Sequence, residues 1–165
     1  MVDFSEENKN IVEDIRNWVK QNGIDAFDEN GNTLLMNAVI SKNPKALEEV
    51  LLHKPDLNIK SNGKTPLIMA AALDDIAAVG SLLKKGADPN IKDDDDKMTA
   101  LMFAAINDNA IMIIELVTSN ARLDMKDKDG WFALDWAISG KSQKAVTSIR
   151  SFQAGLGRVW KNEGR

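Results

Sequence analysis

The stretch that decides the fold is residues 63–71, which read GKTPLIMAA. Three other segments align with it: residues 31–38 read GNTLLMNA, residues 97–104 read KMTALMFA, and residues 130–137 read GWFALDWA. The shared leucine falls at 35, 67, 101 and 134, so the steps are 32, 34 and 33 residues, and the shared alanine at 38, 70, 104 and 137 repeats them. Two columns filled in all four segments predict a helical repeat protein.

Each segment carries the signals that begin a helix. Threonine stands at 33, 65 and 99, where its side-chain oxygen can accept a main-chain N–H at a helix N-terminus. Pro66 follows at the first helical position, where its missing N–H costs no hydrogen bond. The leucine and the alanine three residues later share one helical face. Each segment is therefore predicted to be a helix with one buried side.

A second apolar stripe follows each of the first three segments. It reads Leu47, Val50 and Leu51 in the first unit and recurs at 79, 82 and 83 and at 113, 116 and 117. This i, i+3, i+4 spacing is typical of a half-buried helix. Gly86 and Asn120 follow two of these helices and are predicted to be left-handed C-caps.

These motifs resemble the ankyrin repeat, in which Thr-Pro-Leu-His and paired alanines open the first helix and Gly-Ala-Asp closes the second. Residues 65–71, TPLIMAA, and residues 85–90, KGADPN, carry the resemblance best, and it covers about residues 23–150. It implies an all-α solenoid of about four helix–turn–helix repeats with an N-terminal capping helix and a C-terminal cap. The family's histidine is absent, since Met36, Ile68, Met102 and Asp135 take its place. The divergence indicates a short natural array of bacterial type.

We expect the whole chain of 165 residues to form one ankyrin-repeat domain. The predicted units are an N-terminal cap at 1–28 with a helix near residues 5–20, repeats at 29–60, 61–92 and 93–126, and a fourth repeat with the C-terminal cap at 127–165. The tail from Ser151 is expected to cap the last repeat, and a partner-binding or membrane-surface segment is the alternative. Gly155 and Gly157 argue against a long helix there.

The composition limits the class of function. The net charge is −4 and the pI about 5.1, which argues against nucleic acid as a partner because phosphate binding needs an excess of Lys and Arg. The chain lacks cysteine, which excludes disulfides and thiolate metal sites and fits a reducing compartment. It shows neither the features of a signal peptide nor an apolar stretch long enough to span a bilayer. We expect a cytoplasmic monomer without membrane insertion, and signal-independent secretion as an effector is also compatible with the sequence.

The resemblance implies that the chain binds a protein partner on the concave face of the stack, through the turn tips and the first helices. The predicted contact residues, carried over by position, are Asn32, Ile40, Lys64, Leu73, Asp95, Asp96, Met98, Ile106, Lys128, Asp129 and Trp131. Five of these are apolar, and interface centres favour aromatic residues and Met, although packing against neighbouring repeats is the alternative for each. A basic partner is one option. An immunity or inhibitor protein that neutralises a toxin or enzyme by direct binding is the alternative function, and a structural spacer is a third.

No catalytic motif competes with this interpretation. The acidic run at 93–96, followed by Lys97, is predicted to be a solvated loop, with contact to a basic partner or a metal as alternatives. Its spacing does not fit an EF-hand, whose ligands alternate and which requires a glycine and a distal glutamate. His53 is the single histidine and is expected on the surface, so neither a His-based metal site nor a catalytic triad can be assembled. We expect no enzymatic activity and no cofactor.

Overall fold

A computed structural model describes residues 2–5 and 8–162, with side chains as far as residue 155. Nine helices lie in the described residues: α1 (Ile11–Asn22), α2 (Leu34–Ile40), α3 (Pro44–Leu52), α4 (Pro66–Ala72), α5 (Ile76–Lys85), α6 (Ala100–Ile106), α7 (Ala110–Thr118), α8 (Ala133–Ser139) and α9 (Gln143–Asn162). The β-type contacts in the same residues are isolated bridges from Phe27 to Thr33 and from Ser61 to Lys64. The predicted all-α class is confirmed.

The helices pair along the chain and form two rows. Within each unit the first helix packs on the second, so α2 lies on α3, α4 on α5, α6 on α7 and α8 on α9. Between units, α2, α4, α6 and α8 form one continuous row, and α3, α5, α7 and α9 form the other. Helix α1 packs on α3 and extends the second row by one helix. The predicted solenoid of four helix pairs with an N-terminal capping helix is confirmed.

The core runs along the stack because equivalent positions face inward in every unit. The repeated leucine is the second residue of each first helix; it is fully buried at 35, 67 and 101 and half-buried at 134, in the last unit. Burying one leucine side chain contributes about 1.5–3 kcal/mol. The repeated alanine is buried in all four units. These two columns therefore hold the units together.

The predicted threonine caps are present in the first two units. Oγ1 of Thr33 accepts the N–H of Met36 at 3.2 Å, and Oγ1 of Thr65 accepts the N–H of Ile68 at 3.3 Å. Each bond satisfies a main-chain donor that has no partner within the helix.

In the last two units, the residue at the position of the family's histidine makes a hydrogen bond in the first turn of the helix. The amide of Thr99 donates to Sδ of Met102 at 3.4 Å, and the amide of Phe132 donates to Oδ2 of Asp135 at 2.9 Å. A side chain in the first turn of the helix thus reaches back to the residue that precedes the helix. The Asp135 carboxylate also lies favourably near the positive end of the helix dipole.

The N-terminal helix begins later than the sequence indicates. We predicted it near residues 5–20, and it spans Ile11–Asn22. The side-chain amide of Asn8 donates to the main-chain oxygen of Asp3 and to Oδ2 of Asp14, each at 2.8 Å. Local bonds of this kind compete with helix formation, so residues 9–10 form a turn instead of joining the helix.

Helix α9 is longer than the sequence indicates. Gly155 and Gly157 were expected to weaken a long helix, but α9 continues through both of them to Asn162. Its first part is the second helix of the fourth unit, where Ala145 and Ile149 are buried and the helix packs on α7 and α8. The side chains of the apolar tail beyond residue 155 lie outside the described residues, so the role of the tail stays a prediction.

The chain reverses between the two helices of every unit through a residue in the left-handed region. These residues are Lys42, Asp74, Asp108 and Lys141, with φ of 52°, 57°, 53° and 57°. They repeat with the same steps as the leucine column, although none is glycine. The left-handed conformation costs a non-glycine residue about 1–2 kcal/mol. The stack therefore tolerates mild strain at four equivalent turns.

The predicted left-handed C-caps of the second helices are also present. Gly86 has φ of 98° and Asn120 has φ of 68°. The equivalent Lys54, a less favourable residue for this conformation, has φ of 54°.

Candidate protein-binding surface

The surface formed by α2, α4, α6, α8 and the turns that precede them, here called the first-helix face, carries several exposed apolar side chains, and three of them are predicted contact residues. Ile40 is 44% exposed, Ile106 is 41% exposed and Trp131 is 39% exposed. All three were predicted to be exposed from the sequence. Ile40 and Ile106 are the last residues of α2 and α6 and occupy equivalent positions.

Two other predicted contact residues are less accessible. Met98 is only 4% exposed, so the prediction that it lies on the surface is wrong. Its amide donates to Oδ1 of the buried Asp93 at 2.9 Å, which holds this part of the turn against the core. Leu73 is half-buried at the end of α4, and its main-chain oxygen accepts a hydrogen bond from Nζ of Lys42 at 2.8 Å.

A buried side chain organises the turn tip of the third unit, and the sequence analysis did not identify it. In the third unit, Oδ1 of Asp93 accepts the amide of Asp96 at 3.1 Å in addition to that of Met98. Asp93 is almost completely buried. The interpretation of residues 93–96 as a solvated loop is therefore wrong for Asp93, which is an internal brace of the turn.

The first unit contains a similar brace, the half-buried Asp28. Oδ1 of Asp28 accepts the amide of Asn32 at 3.0 Å, and its Oδ2 accepts Nδ2 of Asn37 at 2.7 Å. Burial alone would raise the pKa of Asp28, but these hydrogen bonds outweigh it and lower the pKa. In the second unit Oγ of Ser61 accepts the amide of Thr33 at 3.1 Å, which links the first two units. The column 28, 61, 93 and 127 was the sequence signal for these braces.

Ion pairs connect the tips of successive units. Three lysine–aspartate pairs do this: Lys60 with Asp94, Lys64 with Asp95, and Lys128 with Asp96. Nζ of Lys64 lies 2.9 Å from Oδ2 of Asp95. The hydrogen bond between them raises the pKa of Lys64 and lowers that of Asp95. The acidic run is therefore already matched by lysines of this chain, which weakens its interpretation as a site for a basic partner.

Main-chain bonds between tips accompany the ion pairs. The amide of Asp94 donates to the oxygen of Gly63 at 3.0 Å, and the amide of Lys128 donates to the oxygen of Asp96 at 2.8 Å. Gly63 has φ of 79°, and a Cβ there would lie 3.2 Å from Cβ of Asp94. Glycine is favoured at this contact, since a side chain would be strained by the conformation and would crowd Asp94.

The comparison with known protein families agrees with this geometry. A family model described as "Ankyrin repeats (3 copies)" matches residues 4–93 and 78–152. The chain belongs to the ankyrin-repeat family. Ankyrin repeats are a non-enzymatic module that generally mediates interactions between proteins. The predicted bacterial origin is untested and stays a prediction.

Two animal proteins are similar to this ankyrin-repeat chain. Protein glp-1 of Caenorhabditis elegans is 30% identical over 147 residues, which cover 81% of this chain. Inversin of Canis lupus familiaris is 32% identical over 119 residues, which cover 71% of this chain. The aligned region spans 11% of the length of each relative.

The fourth ankyrin repeat carries an aromatic cluster on a buried carboxylate. Oδ1 of Asp127 accepts the amides of Asp129 and Trp131, each at 2.9 Å, and its Oδ2 accepts Nε1 of Trp136 at 2.8 Å. Burial alone would raise the pKa of Asp127, but the bonds from Trp131 and Trp136 outweigh it and lower the pKa. The two indole rings lie with their centroids 5.1 Å apart at an interplanar angle of 53°. Trp131 is thus fixed by its amide and supported by Trp136.

The second helices of the ankyrin repeats also expose apolar side chains, which the sequence analysis did not single out. Leu52 at the end of α3 is 61% exposed, and Ile111 at the start of α7 is 60% exposed. Ile114 lies one turn after Ile111 and is also exposed. These residues form a second apolar surface, on the other row of helices, which is an alternative to the first-helix face as a binding surface.

His53 lies in a cluster that joins the first two helices of the second row. Nε of Arg16 on α1 lies 2.9 Å from Oε1 of the buried Glu49 on α3, and Nε2 of His53 lies 3.4 Å from the same oxygen. His53 is half-buried rather than on the surface as expected, because it packs at the C-terminus of α3 beside Glu49. Among the described residues, no three His, Cys, Asp or Glu side chains are grouped so that they could hold a metal ion.

In the part of the chain that the structure describes, no helix combines the length and the apolar character needed to cross a bilayer.

Proposed function

We propose that this ankyrin-repeat chain is a non-enzymatic interaction module that binds a protein partner through the first-helix face. The observation that supports this function is the exposure of Ile40, Ile106 and Trp131 along one row of helices. Exposed apolar side chains surrounded by polar groups are typical of the centre of a protein interface. At a few central positions of an interface, truncating such a side chain weakens the binding free energy by about 2 kcal/mol or more.

The polar residues of the tips would form the rim of this interface. They are Asn32, Lys64, Asp95, Asp96, Lys128 and Asp129. Because four of them are paired within the chain, we expect them to fix the orientation of the partner more than to supply affinity. The same pairing also weakens the alternative function, in which the chain is an inhibitor whose acidic tips imitate nucleic acid. We further propose a monomer in the cytoplasm, which fits the absence of cysteine from the sequence.

Affinity purification of the full chain from extracts of its source cells, with quantitative mass spectrometry, tests this proposal. One bait is the wild-type chain, and a second carries Ile40→Ser and Ile106→Ser on the first-helix face. The matched control carries Leu52→Ser and Ile111→Ser on the second helices, where the side chains are even more exposed. Circular dichroism checks that all three baits are equally folded.

We expect a partner that is captured by the wild type and by the control, and that is reduced about tenfold or more with Ile40→Ser and Ile106→Ser. A partner lost only with the Leu52 and Ile111 substitutions would place the binding surface on the second helices and refute the proposed face.

A further inference from the structure

The fourth repeat contains a groove lined by Trp131, Asp135, Ile138 and Ser139, here called the end groove. Ile138 is 49% exposed and forms its apolar side. The corresponding residues of the first three repeats, Val39, Ala71 and Ala105, are buried where the next repeat packs. The part of the end groove formed by Asp135 and Ile138 therefore corresponds to positions that are buried in the other three repeats.

The composition of the end groove differs from that of the covered surfaces. Asp135 occupies the column in which Met36, Ile68 and Met102 are completely or almost completely buried. A carboxylate in that position would lose its hydration if an apolar repeat packed on it, and this loss is costly without a compensating charge. The groove thus fits a ligand with an apolar part and a positive charge better than it fits another repeat.

Contacts within the chain fix the orientation of the side chains in the end groove. The carboxylate of Asp135 is fixed by the Phe132 amide, which donates to Oδ2, and this leaves Oδ1 as a further acceptor. The amide of Trp131 donates to Asp127, and the Trp131 ring packs against the ring of Trp136. An aromatic face next to a carboxylate attracts a guanidinium group, which stacks on the ring and donates to the oxygen.

The charge of the end groove is also available. The carboxylates of Asp94, Asp95 and Asp96 are paired with lysines, whereas Asp135 forms no ion pair among the described residues. We propose that the end groove binds an arginine side chain of the partner protein, which stacks on Trp131 and pairs with Asp135. This inference rests on the proposed function, since it assigns one ligand group to the same kind of partner.

Nuclear magnetic resonance of the ¹⁵N-labelled full chain tests the inference without knowledge of the partner. The probe is acetyl-Gly-Arg-Gly-amide, and the matched neutral probe has citrulline in place of arginine. The indole N–H signal of Trp131 is assigned by its loss in Trp131→Phe. We expect saturable shifts of this signal and of the Ile138 and Ser139 amides with the arginine peptide, and none with the citrulline peptide.

Two charge variants complete the test. Asp135→Asn keeps an oxygen that can accept the Phe132 amide but removes the charge, so we expect the dissociation constant to rise about fivefold. Glu13→Gln removes an exposed charge on α1, far from the groove, and should change the dissociation constant by less than about twofold. The inference is overturned if the arginine peptide gives no saturable shift, if citrulline binds equally well, or if Asp135→Asn has no effect. If this happens while a partner is still captured through Ile40 and Ile106, the end groove fails and the proposed function stands.

Discussion

Asp127 and Trp136 are joined by a 2.8 Å hydrogen bond from the indole Nε1 to the carboxylate Oδ2. The other carboxylate oxygen holds the amides of Asp129 and Trp131. One buried side chain therefore satisfies three donors of the fourth repeat. Because an unsatisfied buried donor costs about 1–3 kcal/mol, this residue is expected to be among the most sensitive polar positions of the chain.

Replacement of Asp127 by alanine should lower the free energy of unfolding by about 2 kcal/mol or more, since the three donors lose their acceptor. The measurement is urea unfolding followed by tryptophan fluorescence. Asp129→Ala is the control, because the Asp129 carboxylate is exposed and makes no hydrogen bond among the described residues, and its effect should stay within about 0.5 kcal/mol. Equal effects of the two substitutions would contradict the role assigned to Asp127.

The lowered pKa of Asp127 predicts a dependence of stability on acid. Its folded pKa lies below its ordinary value of 3.8, so the folded chain binds the proton less readily than the unfolded chain does. The stability contributed by Asp127 is complete above that ordinary value and is lost as the pH falls through the folded pKa. The difference in unfolding free energy between wild type and Asp127→Asn should therefore shrink from about pH 5 to about pH 2.5. A difference that stays constant over this range would show that Asp127 has no depressed pKa.

The leucine column should be the most sensitive apolar feature. Leu67→Ala removes a fully buried side chain between two repeats and should cost about 3 kcal/mol, with a range of about 2–5. Leu52→Ala removes the same atoms from a side chain that is 61% exposed, and should cost less than about 1 kcal/mol. Thermal or urea unfolding measures both. Similar losses at the two positions would mean that the stack does not depend on the column.

Glycine at a strained inter-helix turn should stabilise the protein where the side chain has no other role. Lys141 has φ of 57° and makes no side-chain hydrogen bond among the described residues, so Lys141→Gly should stabilise by about 0.5 kcal/mol, the relief of strain exceeding the entropy of glycine. Asp108 has φ of 53°, but its Oδ1 accepts the amide of Ala145 at 2.9 Å in the first turn of α9.

Asp108→Gly loses this cap and should destabilise by about 0.5–1 kcal/mol, despite the same relief of strain. Differential scanning calorimetry on both variants gives the comparison. The explanation would be wrong if the two glycine variants shifted the unfolding midpoint in the same direction.

The ion pairs between the tips should contribute little and be sensitive to salt. A double-mutant cycle on Lys64→Ala and Asp95→Ala should give only a small coupling at low ionic strength, because Asp95 is well exposed. In about 1 M sodium chloride the coupling should almost vanish through screening. A large coupling that persists in salt would show that these pairs hold the stack together.

The period of the leucine and alanine columns predicted the helix pairs and the stacking order, because every unit must bury the same face against its neighbours. The predictions for Met98 and Asp93 were wrong because this regularity does not extend to the turns. Met98 precedes a helix in a turn one residue longer than in the first and fourth units, so its position could not be carried over from Lys64 or Trp131. The buried state of Asp93 depends on which amides its carboxylate reaches, and composition shows only a run of acidic residues.

The end groove could not be anticipated for a related reason. The sequence shows Asp135 as one more departure from the family pattern at the position of the histidine. Only the packing distinguishes it, since the other three members of this column are buried and Asp135 is partly exposed.

Among the described residues, each helix pair packs chiefly on the pairs on either side of it, and this has a consequence for how unfolding spreads. A disruption of the fourth repeat leaves the contacts of α2 with α3 and of α4 with α5 in place. Unfolding is therefore expected to start in an outer helix pair of the stack and to advance inward one repeat at a time. The second and third repeats, supported from both directions, would be the last to exchange their amide protons with solvent.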